Sequence, residues 1–303
     1  MKKIISICGP TGIGKTSFAI SLAQKFNGEI IGADSMQIYK YLDIGTAKPD
    51  EEERAAAVHH LVDFLDPDQD FDAGQYETRA TKLIDSLHDE GKLPIVAGGT
   101  GLYIRSLLYG LFRSRPADSD TIDALTRELD EKGSLALHEE LEHCDPDAAR
   151  RIHPNDGFRI VRALEVFKNC GSTISEKQGE HGFAHKKFDS LTLGLTMDRD
   201  RLYERINRRV DIMMEQGLLN EVAQLREKGY SLELKSMQSI GYRHMGMYLK
   251  GEVDLDEAVR LLKRDTRRYA KRQFTWFRKE PGLIWIQPSE TEKAFDLVEK
   301  FLK

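Results

Sequence analysis

At 303 residues, with 40% hydrophobic and 31% charged content, the chain can bury a large core and has the composition of a soluble globular protein. No run approaches the roughly 18 apolar residues of a membrane span, and Met1-Lys2-Lys3 before five strand-type residues is too short and too soon glycine-broken for a signal peptide. Three cysteines without a C-x-x-C pair (Cys8, Cys144, Cys170) argue against a disulfide framework or zinc site and for a reducing cytoplasm; a net charge of −5 disfavours a polyanion partner unless the charge is segregated.

Ile4–Cys8 is an apolar run of strand length, and Ser17–Ala23 has helical periodicity. Between them stands Gly9-Pro10-Thr11-Gly12-Ile13-Gly14-Lys15-Thr16, a G-x-x-x-x-G-K-T loop in the required strand–helix context. Its glycines let several N–H groups converge on one anion, and the following helix adds its positive end. Lys15 supplies a mobile point charge, and the Thr16 hydroxyl is placed to ligate a magnesium ion. The loop is expected to bind a di- or triphosphate.

Gly28–Ala33 reads as a second strand running into Asp34-Ser35-Met36-Gln37-Ile38-Tyr39. In a doubly wound parallel sheet ligands sit beyond the carboxyl ends of the strands, so Asp34 lands beside the phosphate loop. There it serves either as an acid–base or metal-associated carboxylate, or simply as a turn or helix-capping aspartate. Asp43–Pro49 is a turn-rich loop, and Glu51-Glu52-Glu53 opens a short helix. The adjacent His59 and His60 point to opposite sides on strand or loop, against a metal role. Asp66, Asp68, Asp70, Asp72 and Glu77 mimic calcium-loop spacing, but Phe71 occupies the position that must be glycine; an acidic surface loop before the helix Ala73–His88 is expected instead.

Leu93–Ala97 is a third buried strand, ended by Gly98-Gly99-Thr100-Gly101 and followed by a helix over Leu102–Leu108. The glycine ending, where an ATPase usually carries an aspartate, argues mildly against ATP hydrolysis. From Arg113–Pro116 to about His185 strand candidates vanish and three or four helices succeed each other, which predicts a helical insertion over 113–188 within a core of 1–112 and 189–303. Asp145-Pro146 and Asn155-Asp156 supply helix starts, and Arg159 and Arg162 share one face of the second helix. Strand character returns at Ser190–Leu195, followed by an arginine-dense helix, Arg199–Gln216. On it Arg205 and Arg209 lie one turn apart, suited to an anion as much as to pairing with Glu204 or Asp211. Between Lys263 and Lys279 eight basic residues meet one acid, Asp265, with aromatics interleaved, a pattern that favours nucleic acid over a solvated face. Leu283–Ile286 reads as a last edge strand.

Several of these stretches together resemble the bacterial tRNA dimethylallyltransferases: Gly9–Thr16, Ala33–Tyr39, Asp43–Pro49, His59–Pro67, Gly98–Tyr103, Arg151–Asp156, Arg159–Val166, Ser239–Arg243 and Lys271–Arg278, in family order along the whole chain. Phe158 stands where the family commonly has glutamine. The resemblance implies an α/β fold, a P-loop NTPase-like parallel sheet flanked by helices with an all-helical insertion domain. It implies transfer of a dimethylallyl group from its diphosphate to N6 of the adenosine 3′ to the anticodon, in tRNAs reading codons that begin with U. Asp34 would be the base, Thr100 a group near the adenosine, and Arg209, with Arg205, a partner of the diphosphate beside the loop; Mg²⁺ would sit at Thr16. The tRNA-facing set carried over is Asp34, Ser35, Met36, Gln37, Thr100, Asp123, Phe158, Arg159, Arg162, Gln238, Gly241, Tyr242, Arg243, Lys271, Arg272, Gln273 and Arg278. The adenosine would be flipped into a channel between core and insertion, with Gln37, Gln238 and Tyr242 suited to reading unstacked bases. The partners expected are the tRNA anticodon stem-loop and dimethylallyl diphosphate, with no membrane, for a cytoplasmic monomer. The rival readings are a kinase for small molecules or nucleotides that uses ATP, and a non-catalytic nucleotide-gated RNA-binding module.

Overall fold

The computed structural model describes residues 1–111, 119–181 and 186–303, so the expected boundary stretch Arg113–Pro116 lies outside the described residues. The chain forms two compact units, one of Met1–Leu108 with Lys187–Lys303 and the other of Tyr109–Lys186. No described helix is long and apolar enough to cross a membrane.

In the first unit the elements up to the insertion are β1 (Lys3–Cys8), α1 (Lys15–Lys25), β2 (Gly28–Gly32), α2 (Glu51–Ala56), β3 (His59–His60), α3 (Ala73–Asp89), β4 (Leu93–Gly98) and α4 (Gly101–Tyr109). The second unit carries α5 (Ser119–Cys144), α6 (Pro146–Arg151), α7 (Gly157–Cys170) and α8 (Ile174–His181). The first unit resumes with β5 (Asp189–Leu195), α9 (Arg199–Glu215), α10 (Leu218–Glu227), α11 (Tyr242–Leu249), α12 (Leu255–Phe277), β6 (Ile284–Ile286) and α13 (Thr291–Leu302). The six strands form one parallel sheet in the order β3-β2-β4-β1-β5-β6. A sheet covered on both faces needs apolar residues throughout its inner strands, and β1 is buried along Ile4–Cys8. Ile5, Ile7, Phe18, Leu22, Ile95 and Leu193 meet in its core.

The two-residue strand β3 is an edge that its sequence left open. The histidines do diverge there: His60 Nε2 lies 2.7 Å from Glu29, and His59 Nδ1 2.8 Å from the Ala57 carbonyl. The acidic stretch is used locally, with Asp66 paired to Lys40 and Asp72 capping α3. No group of His, Cys, Asp or Glu able to hold a metal occurs among the described residues.

The insertion unit is held by α5 and α7, whose Leu125, Leu137, Leu141, Ile160 and Leu164 pack together. Asp145 caps α6 with Pro146 in its first turn, and Asp156 caps α7. α5 breaks at Gly133, where φ is +81°.

Because β1, β2 and β4 are neighbours and parallel, the turns that follow them open on the same edge of the sheet. Those after β2 and β4 are laced together: Ala33 N–H donates to Ala97 O at 2.8 Å, and Thr100 N–H to Ala33 O at 3.0 Å. Only glycine fits at 98, since a Cβ there would lie 2.0 Å from the Ala33 oxygen. Gly98→Ala should therefore lower the denaturant midpoint by the equivalent of about 1–3 kcal/mol or more; an unchanged midpoint would contradict this close approach.

Candidate active site

The phosphate loop is built as its residues require. Gly9, Gly12 and Gly14 have φ of +151°, +79° and +101°, the last two in the left-handed region that β-carbons resist. α1 begins at Lys15 with Gly14 at its cap and no side chain capping it, so its first N–H groups are left for an external anion. Thr11, Gly12, Gly14, Lys15 and Thr16 line a cleft whose opposite walls are Asp34, Gln37, Arg209 and Tyr269. Gly9, Pro10 and Ile13 shape the loop from behind, Ile13 being fully buried. Arg205 is exposed and donates from Nε to the Gly12 carbonyl at 3.0 Å. The spacing that set Arg205 and Arg209 on one face of α9 brings both to this loop, while Asp211 pairs with Lys263 instead.

The charges are mutually adjusted. Burial lowers the Lys15 ammonium to about 8, opposed by Asp34 and reinforced by Arg209. Burial also lowers the Arg209 pKa, with Asp34 and Glu53 pulling it back up and Arg205 pushing it further down. Lys15 Nζ meanwhile donates to the Pro10 carbonyl at 2.9 Å.

Asp34 fulfils both readings of its position. Its Oδ1 accepts the Met36 N–H at 2.9 Å and the Gln37 N–H at 3.4 Å, as a turn aspartate does. Its Oδ2 makes no hydrogen bond to a described residue, and the side chain lines both the phosphate cleft and an adjoining cavity. That second cavity is walled by Met36, Ile206, Val210, Met213, Ile240 and Leu262, with Ser35, Gln238 and Arg272 at its polar side. Thr100 holds the Asp34 turn in place, accepting the Ser35 N–H at 3.0 Å and lying 3.3 Å from the Ser35 hydroxyl.

Thr16 lines the cleft, and its hydroxyl has no partner among the described residues. A hydroxyl beside a diphosphate cradle, with a carboxylate across the cleft, suits a hard divalent ion that keeps most of its waters. The residues present thus fit a divalent metal shared with a bound anion.

Several expected RNA-facing residues are engaged otherwise. Tyr242 is fully buried, its hydroxyl donating to Glu221 at 2.5 Å, so it is no base reader; Gly241 caps α11 behind it with φ +102°. Glu221 also accepts the N–H groups of Asp43, Ile44 and Gly45 at 2.9–3.2 Å, making it a clamp on the loop that brings Thr46 to both cavities. Gln273 is buried, with both amide ends bonded to backbone. The Gln37 amide donates to Thr46 O and Ala47 O at 3.2 and 2.9 Å. Arg243 pairs with Asp265 at 2.7 Å. The same Asp265 binds Arg264 and faces His244, and the bond from Arg264 leads the contacts that hold its carboxyl well below the usual range.

The cationic run on α12 is therefore partly neutralised in its first half, where Lys263 meets Asp211 and Arg264 and Arg268 meet Asp265, while Arg267 Nη1 donates to the neutral Asn207 at 2.5 Å. Its second half, Lys271, Arg272, Arg278 and Lys279, is exposed and forms no ion pair with a described residue. Gln238 is exposed and donates to the Leu232 carbonyl at 2.8 Å. In the insertion unit Asp123 and Phe158 are exposed, Phe158 to 82%. Arg159 leans on Asp156 at 3.4 Å, and Arg162 pairs with the buried Glu165.

Comparison with known proteins adds the following. The family model described as IPP transferase matches residues 37–280. A curated tRNA dimethylallyltransferase of Desulfosudis oleivorans is 52% identical over 99% of this chain and 96% of its own length. That of Acetivibrio thermocellus is 50% identical over 100% and 96%. The crystal structure of the full-length tRNA isopentenylpyrophosphate transferase from Bacillus halodurans superposes with a TM-score of 0.75 at 40% identity, covering 100% of this chain and 97% of that one. A eukaryotic dimethylallyltransferase crystallised acting on tRNA gives 0.85 at 33% identity, covering 100% and 80%.

A Lys15 pKa of about 8 means that the free protein loses this charge as pH rises through 8, not through 10.5. Affinity for inorganic pyrophosphate, measured by calorimetry, should fall above pH 8 by up to about tenfold per pH unit. Lys15→Arg should remove that inflection; superimposable pH profiles for the two proteins would contradict the assignment.

Proposed function

The chain belongs to the tRNA dimethylallyltransferase family, and from that premise we propose that it transfers the dimethylallyl group of dimethylallyl diphosphate to N6 of the adenosine 3′ to the anticodon, in tRNAs reading codons that begin with U. The observation that carries the reading is the position of Asp34, common to the phosphate cleft and to the more apolar cavity beside it.

An exocyclic adenine amine is a weak nucleophile that must lose a proton as it attacks. In this reading N6 forms a bond to C1 of the allylic chain, the C1–O bond to diphosphate breaks, and the proton passes to the Asp34 carboxylate. Asp34 is half-committed to its turn, so its Oδ1 fixes the side chain while Oδ2 meets the amine. Charge growing on the leaving diphosphate is met by donors already in place: the Gly12–Thr16 backbone, Lys15, Arg209 and Arg205. Lys15 leaves the Pro10 carbonyl to reach it. Thr16 and the diphosphate oxygens would hold magnesium, which supplies further neutralisation of the leaving group.

The second cavity takes the adenosine flipped from its stacked loop, with Thr100 shaping the turn beside it. Lys271, Arg272 and Arg278 are cations suited to tRNA phosphates, and Gln238 stands at the cavity's polar side. On the insertion, Arg159 and Arg162 exchange Asp156 and Glu165 for tRNA phosphates, Asp123 adds a polar contact, and Phe158 a bare ring on which a base can stack.

Full-length protein incubated with unmodified tRNA, labelled dimethylallyl diphosphate and magnesium, without ATP, should place label in the RNA. A kinase or a non-catalytic RNA-binding module would leave the RNA unlabelled. Asp34→Ala should slow single-turnover transfer by about 10²–10⁴-fold while tRNA affinity is kept; weakened tRNA binding with unchanged turnover would remove Asp34 as the base.

A further inference from the structure

We propose that Gln273 is a positioning residue of the diphosphate cradle, holding the Pro10–Thr11 peptide from the helix that carries the exposed cations; the proposal rests on the loop being a diphosphate site. Gln273 is 5% exposed on the inner face of α12. Its Oε1 accepts the Thr11 N–H at 2.8 Å, and its Nε2 donates to Gly99 O at 2.9 Å. One amide thus joins the turn after β1 to the turn after β4. A primary amide suits this place because it offers an acceptor and a donor on one rigid plane.

The same peptide is held at its other end, where the Pro10 carbonyl accepts from Lys15 Nζ. Once Lys15 turns to an incoming diphosphate, Gln273 is the side chain left to fix the plane of that peptide. The turn after β4 is cut to fit: a Cβ on Gly99 would stand 2.4 Å from Gln273 Nε2 and 3.6 Å from Lys15 Nζ. The Thr11 N–H is consumed by Gln273, so the donors aimed at the anion are those from Gly12 onward. An amide with both ends bonded to backbone is also unable to read a base.

Two variants of the full chain decide the matter. Gln273→Ala removes the amide and leaves a hole, whereas Gln273→Met keeps the volume and loses only the hydrogen bonds. Both should weaken inorganic pyrophosphate binding about tenfold, because the loop is then no longer held in its binding conformation beforehand. Both should raise KM for dimethylallyl diphosphate about as much, with kcat within about threefold and affinity for an unmodified anticodon stem-loop unchanged. Pyrophosphate affinity restored to the wild-type value by methionine would reduce Gln273 to packing and overturn the proposal. A loss confined to RNA affinity would overturn it too, making Gln273 an RNA contact. Should Gln273→Ala fail to fold, the methionine variant answers alone. Pyrophosphate binding is read without turnover, so a wild-type protein that binds pyrophosphate but leaves tRNA unlabelled would sink the functional reading and not this one.

Discussion

A cradle for a diphosphate has to gather positive charge before its anion arrives, and that constraint shapes most of the first unit. Lys15 and Arg209 face one cleft in surroundings that already disfavour ions; Arg209 lowers the Lys15 ammonium further, and Arg205 does the same to Arg209. Left alone such a cluster would repel itself. Asp34 is the carboxylate set against it, and it shifts both cations back toward their charged forms. The acid assigned to the amine proton thus also helps to offset the cation cluster, with Glu53 adding to it at Arg209.

Helix α12 meets the same need from two sides. Its inner face brings Tyr269 to the cleft and Gln273 to the loops, and sets Trp276 so tightly on Gly101 that a Cβ there would fall 2.2 Å from the indole nitrogen. Its outer face ends in Lys271, Arg272 and Arg278, with Arg272 over the Tyr269 ring at 5.6 Å and Arg278 over Phe274 at 5.8 Å. These stacked guanidiniums are held close to aromatic rings while staying solvent-exposed, as a phosphate-binding surface requires.

What the sequence made legible was local. The phosphate loop, the Asp34 turn and the glycine turn at 98–101 are each a few residues long; spacing alone marks the phosphate loop, while the roles of Asp34 and Thr100 come with the family resemblance. The caps at Asp145 and Asp156 are equally local. The misplaced residues belong to contacts between distant segments. Tyr242 and Gln273 carry polar atoms suited to base recognition, but their partners, Glu221 and the two loop backbones, stand 21 to 262 positions away. No periodicity announces such a bond. The charge run on α12 was visible, yet its partial neutralisation by Asp211 of α9 depends on which helices pack together. Glu221 escaped notice altogether; only the folded loop reveals three N–H groups converging on it.

The central claim is geometric: one carboxylate is shared by the diphosphate cleft and the nucleoside cavity. The most direct measurement is a crystal structure of the protein with an anticodon stem-loop and a non-reactive thio analogue of dimethylallyl diphosphate. The account predicts the adenosine N6 within about 3 Å of an Asp34 oxygen, on the side of the allylic carbon away from a diphosphate seated on Gly12–Thr16. An adenine that lies beyond hydrogen-bond reach of Asp34, or a diphosphate seated elsewhere, would contradict it.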